Sequence, residues 1–112
     1  MIDSPMMQTL GRYLDIAAAR HSVVTGNIAN VDTPGYRTRD VDFASELGKA
    51  HGNPEDIGVY EVGDLVERPD GNNVDIDRES LALAETQLRF RTATELLKAE
   101  FRRYVLAINE GR

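Results

Sequence analysis

Between Met7 and Val31 one set of positions recurs at alternating intervals of three and four: Met7, Leu10, Leu14, Ala17, His21, Val24, Ile28 and Val31. That spacing draws a stripe along a helix and commits the segment to lying lengthwise against a partner. At 1.5 Å per residue the helix would run for about 37 Å. Asp3 or Ser4 can cap its start, with Pro5 at the first helical position. The stripe is narrow and interrupted by Ala17 and His21, and Gly11 and Gly26 each cost about 1 kcal/mol relative to Ala. Such a helix needs a partner. Its end is set by Asn27-Ile28-Ala29-Asn30-Val31-Asp32-Thr33-Pro34-Gly35-Tyr36. Pro34 pushes Thr33 out of the helical region, so the helix stops at or before Asp32. Pro followed by Gly then predicts a type II turn over Thr33–Tyr36.

A second long helix is expected to open near Asp75, where Asp75 or Asp77 can cap it and Asp77 and Glu79 suit the positive end of the helix dipole. It runs to about Ile108 and ends at Asn109-Glu110-Gly111. Leu83, Phe90, Leu97, Phe101, Tyr104 and Ile108 share one stripe, with Gln87 and Thr94 as polar members. A second patch, Leu81, Ala84, Leu88, Ala99 and Leu106, lies well round the helix from the first. One partner helix covers one stripe, so the second patch points to other subunits or to a folded-back middle segment.

Residues 37–72 differ in character. Asp42 can cap a short helix from Phe43 to Ala50, ended by His51-Gly52-Asn53-Pro54. Val59–Val62 and Leu65–Glu67 are β-prone and suit a small hairpin across Gly63-Asp64, or an extended arm. Arg68-Pro69-Asp70-Gly71-Asn72-Asn73 reads as a loop. With few large apolar residues, this middle is expected to be mobile in an isolated subunit. The expected architecture is mainly α in one unit, 1–112. It divides into an N-terminal helix (1–32), a turn with an irregular acidic middle (33–72) and a C-terminal helix (73–112), the helices pairing as an extended hairpin of coiled-coil type.

Charge and composition narrow the function. The net charge is −6, and most of the acid lies between residues 37 and 80. The opposite balance would suit phosphate, so nucleic acid is not an expected partner. The absence of Cys excludes disulfides and thiolate metal sites. No basic segment followed by an apolar run opens the chain, so a cleaved secretory signal is not expected, and no stretch is apolar enough to insert in a membrane. His21 has no second ligand at metal spacing and reads as a packed or partly exposed seam residue. Asn72–Glu79 superficially resembles a calcium loop, but counting from Asn73 puts Arg78 where Gly is needed and Ala84 where Glu is needed. Asp75 and Glu79 share a helix face with nothing apolar to raise either pKa. No nucleophile or phosphate loop is present, so no catalytic residue, metal or cofactor is assigned. Asn27 and Asn30 are more informative. Amides in a last helical turn can bond the free carbonyls there or the chain leaving the helix.

Those residues resemble a known family. Asn27-Ile28-Ala29-Asn30, with Thr33-Pro34-Gly35-Tyr36, is similar to the N-terminal signature of bacterial flagellar axial proteins, the rod and hook family. Asn73–Glu79 through Glu85-Thr86-Gln87-Leu88-Arg89-Phe90 resembles its C-terminal partner signature. The resemblance covers roughly residues 8–48 and 73–109. The continuation Tyr36–Phe43, the opening Asp77-Arg78-Glu79 and the lack of a large insert are those of a short rod subunit rather than a hook protein. The resemblance implies a structural subunit in the periplasmic rod of the basal body, exported by the flagellar type III apparatus without a cleaved signal. Its implied partners are copies of itself, other rod proteins and the rod-junction protein at the membrane ring. The assembly motif would be Asn27, Ile28, Ala29, Asn30, Thr33, Pro34, Gly35 and Tyr36. Contacts along the helices would fall to Leu10, Leu14, Val24, Leu83, Leu88, Phe90, Leu97, Phe101, Tyr104 and Ile108. The competing readings are another short rod component and a soluble helical export chaperone or adaptor.

Overall fold

The computed structural model describes residues 4–49 and 52–111. Helix α1 spans Pro5–Ala29, α2 spans Phe43–Gly48 and α3 spans Ile76–Glu110. A two-stranded antiparallel sheet pairs β1 (Arg39–Asp40) with β2 (Tyr60–Glu61), with Arg39 opposite Glu61. A 3₁₀ turn, Pro54–Asp56, lies between α2 and β2. The molecule is elongated, 69 × 23 × 18 Å.

The helix ends follow the local chemistry. Ser4 caps α1 by accepting from the Met7 N–H, with Pro5 at the first position. Asp42 caps α2 through the Ser45 N–H, and Asp75 caps α3 through the N–H groups of Asp77 and Arg78. Helix α1 closes at Ala29, three residues before the limit set by Pro34. Its last turn tightens there: the Val31 N–H bonds the Ile28 carbonyl at 3.2 Å and the Asn30 side chain takes the Gly26 carbonyl at 2.8 Å. The expected turn follows, with the Tyr36 N–H on the Thr33 carbonyl at 3.2 Å and Gly35 at φ +75°.

Helices α1 and α3 pair antiparallel, Asn27 lying level with Glu79 and Arg20 with Glu85. At 1.5 Å per residue, Pro5 falls near the level of residue 101, so the last turns of α3 extend beyond α1. The pairing departs from the expected stripe on α3. The side chains buried there are Glu79, Ala82, Thr86 and Ala93, roughly 60° round the helix from Leu83, Phe90 and Phe101. Small residues let the two backbones approach, and the large ones are left on the flank. On α1 the buried set is Leu10, Ile16, Ala17, Val24 and Asn27, which includes Leu10, Ala17 and Val24 of the expected seam.

The middle segment departs further from expectation. It folds back along α1 and builds a core of Ile16, Ala17, Val41, Phe43 and Ile57, flanked by Tyr13, Val23 and Leu47. Strand β2 takes its partner from residues 39–40, and residues 65–67 form no strand. A small two-stranded antiparallel sheet is present in the middle segment as expected, but no hairpin forms across Gly63-Asp64. Pairing with β1 lets Val41, Phe43 and Ile57 reach the apolar face of α1, whereas a local hairpin over Gly63-Asp64 would bury nothing. Position 64 is still a turn, with Asp64 at φ +64°. The predicted end of α2 at Ala50, and His51 after it, lie outside the described residues.

Candidate assembly site

The residues singled out at the helix exit converge at one end of the molecule. Asn27, fully buried, uses all of its amide. Its Nδ2 donates to the Arg39 carbonyl at 2.7 Å and to Glu79 Oε1 at 2.5 Å. Its Oδ1 accepts from the Tyr36 hydroxyl at 3.0 Å and the Arg39 N–H at 3.1 Å. Both backbone groups of Arg39 thus meet the amide as they would meet a neighbouring strand, and Asn27 seals the inner edge of β1. One side chain ties α1, the outgoing chain and α3 together.

A second amide does the same for the turn. Asn72 is fully buried. Its Nδ2 donates to the carbonyls of Asn30 and Thr33, each at 2.9 Å, and its Oδ1 accepts from the Val74 N–H at 2.8 Å. Asn73 Oδ1 accepts from the Thr38 N–H at 2.7 Å, the Gly35 N–H reaches the Asp70 carbonyl at 2.9 Å, and the Arg68 guanidinium bonds the Val31 carbonyl. The two loops pack back to back. A Cβ on Gly71, which sits at φ +86°, would stand 3.3 Å from the Gly35 Cα. Gly71→Ala is therefore strained twice, by backbone and by contact, and should cost more than the 1–2 kcal/mol of a left-handed residue alone. Urea unfolding should show a lower midpoint for Gly71→Ala than for Gly35→Ala, where a Cβ meets nothing within 4 Å.

From Asn27 a chain of charges runs down the groove between the helices. Glu79, fully buried, passes from Asn27 to Arg78 (Oε2 to Nη1, 2.7 Å). Arg78 Nη2 reaches Asp40 Oδ2 at 2.8 Å, and Asp40 Oδ1 accepts from Arg20 Nε at 3.0 Å and from the Val41 N–H at 2.7 Å. Arg20 Nη1 continues to Glu85 Oε1 at 2.6 Å. Arg89 lies 3.5 Å from that oxygen and sets its guanidinium 4.3 Å from the centre of the Phe43 ring, against which Tyr13 packs edge-on at 4.7 Å. Burial alone would push the Asp40 carboxyl up, but the donors of Arg20, Val41 and Arg78 outweigh it and hold the group below its ordinary 3.8. Glu79, Asp40 and Glu85 each face a guanidinium. The arrangement holds shape and leaves no free base or nucleophile within it. Among the described residues no three His, Asp or Glu side chains are grouped to hold a metal ion.

Within the predicted motif, Ile28 and Tyr36 are half-buried, Asn30 closes the helix, and Ala29, Thr33, Pro34 and Gly35 lie at the surface. Of the predicted helix contacts, Leu10 and Val24 are buried, Leu14, Leu83, Leu97 and Tyr104 are half-buried, and Leu88, Phe90, Phe101 and Ile108 are exposed. His21 is exposed. Sequence reasoning passed over Arg20, Asp40 and Asn72. The paired amides Asn72-Asn73 ahead of the Asp75 cap were the available signal, since buried amides close to a helix start often serve the backbone.

The family model described as flagella basal body rod protein matches residues 7–37, the span from the first helix through the turn. The flagellar basal body rod protein FlgB of Salmonella typhimurium is 32% identical over 123 aligned residues, covering 88% of this chain and 88% of that protein. FlgB of Borrelia hermsii is 34% identical, covering 81% of this chain and 86% of its own length, and FlgB of Bacillus subtilis is 28% identical with 97% of each covered. The chain belongs to the flagellar basal body rod proteins and, among them, to the FlgB family. It is a structural component of the basal-body rod, associating with other rod components. No described helix is long and apolar enough to cross a membrane.

Proposed function

We propose that the chain is a non-enzymatic building block of the proximal rod, whose α1–α3 pair packs lengthwise against those of its neighbours to make a torque-transmitting shaft across the periplasm. The observation that carries this reading is the outward face of α3, where Leu81 and Leu88 are 71% and 65% exposed although the chain has a middle segment that could have covered them. Copies of the chain, other rod proteins and the rod-junction protein at the membrane ring are the partners such a face would serve. Asn27, Asn30, Pro34 and Gly35 act through shape, fixing where α1 ends and how it meets α3. Passage through the narrow type III export channel calls for a subunit that unfolds readily. A small core and two glycines within α1 suit that, and burial of the apolar faces then follows on assembly.

An in-frame deletion in the source bacterium tests the reading. Cells lacking the chain should not swim and should yield no complete basal bodies, and a plasmid-borne copy should restore both. Swimming deletion cells with complete basal bodies would overturn it.

A further inference from the structure

The two-stranded sheet has two edges, and the chain treats them differently. The inner edge, β1, is closed by the Asn27 amide, which takes both backbone groups of Arg39. The outer edge, β2, is left open. Because an antiparallel ladder alternates, Val62 gives its N–H to the Thr38 carbonyl at 2.9 Å, while Val59 and Glu61 turn their backbone groups away from β1. Those groups have no hydrogen-bond partner among the described residues. Lysine and proline commonly blunt an exposed edge, and Val59 to Val62 include neither. Val59 and Tyr60 are instead each 47% exposed. Just past the strand in sequence, Leu65 and Val66 join Val74 and Ile76 in walling an open cleft.

Charge selects what can pair there. Residues 53–67 contain five acids, Glu55, Asp56, Glu61, Asp64 and Glu67, and no base. Arg37 answers Glu67 at 3.2 Å and Arg39 stands opposite Glu61 on β1, which leaves the acids in excess. A second copy would bring the same acids to the same edge, and like charges across a ladder are destabilising.

We infer that the outer edge of β2 docks an extended, basic segment of a different protein, added to the sheet as a third strand. The incoming backbone bonds the N–H and carbonyl of Glu61, a Lys or Arg of the segment lies opposite Glu61, and its apolar residues cover Val59 and Tyr60. The contact uses neither apolar face of α3, so it stands apart from the helix packing of the rod reading.

Deletion cells expressing the chain with the photo-reactive residue p-benzoylphenylalanine at position 59, or at position 61, are irradiated whole. Cross-linked products are isolated through the chain, and the joined peptide is sequenced by mass spectrometry. Both positions are exposed, on one face of the strand and about 7 Å apart. The expected peptide belongs to another protein and contains Lys or Arg. Its attachment sites for the two positions should fall two residues apart, as an extended strand requires. Sites three or four residues apart would mark a helix and overturn the inference. A joined peptide from this same chain, or no product from cells that contain the chain, would overturn it as well. Charge is tested in the position-59 chain. Glu61→Lys should cut the cross-linked yield about tenfold or more, whereas Glu110→Lys at the far end of α3 should leave it unchanged. Glu61 is exposed and forms no ion pair among the described residues, so its reversal leaves the fold intact. An undiminished yield with Glu61→Lys would overturn the basic partner and the inference with it.

Discussion

Replacing Asn27 with alanine is expected to destabilise the subunit by about 3–5 kcal/mol, because it strands several buried groups at once. The Arg39 N–H and carbonyl lose the amide that stands in for a neighbouring strand, the Tyr36 hydroxyl loses its acceptor, and the buried Glu79 carboxylate keeps only Arg78. Asn27 and Glu79 are both fully buried, so the bond between them is the most costly of these to lose. Against the roughly 5–15 kcal/mol total of an ordinary domain, that is a large share. A thermal melt followed by circular dichroism should show a midpoint roughly 15–20 °C lower than wild type. Asn30→Ala is the comparison. It gives up the Gly26 carbonyl and the Thr33 hydroxyl near the surface, and should cost about 1 kcal/mol. Equal losses for the two variants would mean that the amide of Asn27 is not the keystone its hydrogen bonds describe. In cells, Asn27→Ala should fail to restore swimming to a deletion strain.

Asp40→Asn is the second large effect. The carboxylate joins Arg20 of α1 to Arg78 of α3 from its place in β1, so it fastens the middle segment to both helices. An asparagine keeps the acceptor for the Val41 N–H and nearly the same volume, so the change isolates the charge. Each arginine retains a second acid, Glu85 or Glu79, which places the cost at about 3 kcal/mol, the low end for breaking a buried pair. The pH dependence has a definite sign. Because the folded Asp40 is held below its ordinary 3.8, its contribution is fully present above that value and disappears as pH falls through the depressed folded one. Urea midpoints for wild type and Asp40→Asn should therefore differ at neutral pH and converge below about pH 4. A gap that stayed constant into acid would show that the lost stability is not carried by the Asp40 charge.

The exposed large side chains of α3 and the density of the polar lock are two sides of one construction. On α3 the buried residues facing α1 are small, Ala82, Thr86 and Ala93, so the apolar yield of the pairing is modest. Direction comes from the buried amides and ion pairs, which tolerate one arrangement only. The leucines and phenylalanines that could have enlarged the core are held on the outside. A subunit of this kind is fixed in shape by its polar groups and keeps its apolar surface for the neighbours it joins.

Much of this was legible in the chain itself. The period of Met7 to Val31, the caps Ser4, Asp42 and Asp75, and the Pro34-Gly35 turn are local, and local rules of backbone geometry settle them without reference to anything distant. The two long helices, the turn between them and the family resemblance follow from residues close together in sequence. What the tertiary structure decided is everything that depends on a partner far along the chain. The stripe on α3 was drawn through its largest side chains, whereas the helix turns its small ones to α1, because interhelical distance is set by both surfaces together. Strand β2 left its sequence neighbour at Leu65–Glu67 for β1, because only that pairing buries Val41, Phe43 and Ile57. Arg20, Asp40 and Asn72 look like ordinary surface residues until the fold links residues 20, 40, 78 and 79 and sets residue 72 against the turn after α1. Periodicity names the face of a helix that is apolar, but it takes the folded chain to show which apolar face is buried within the subunit and which is left for another.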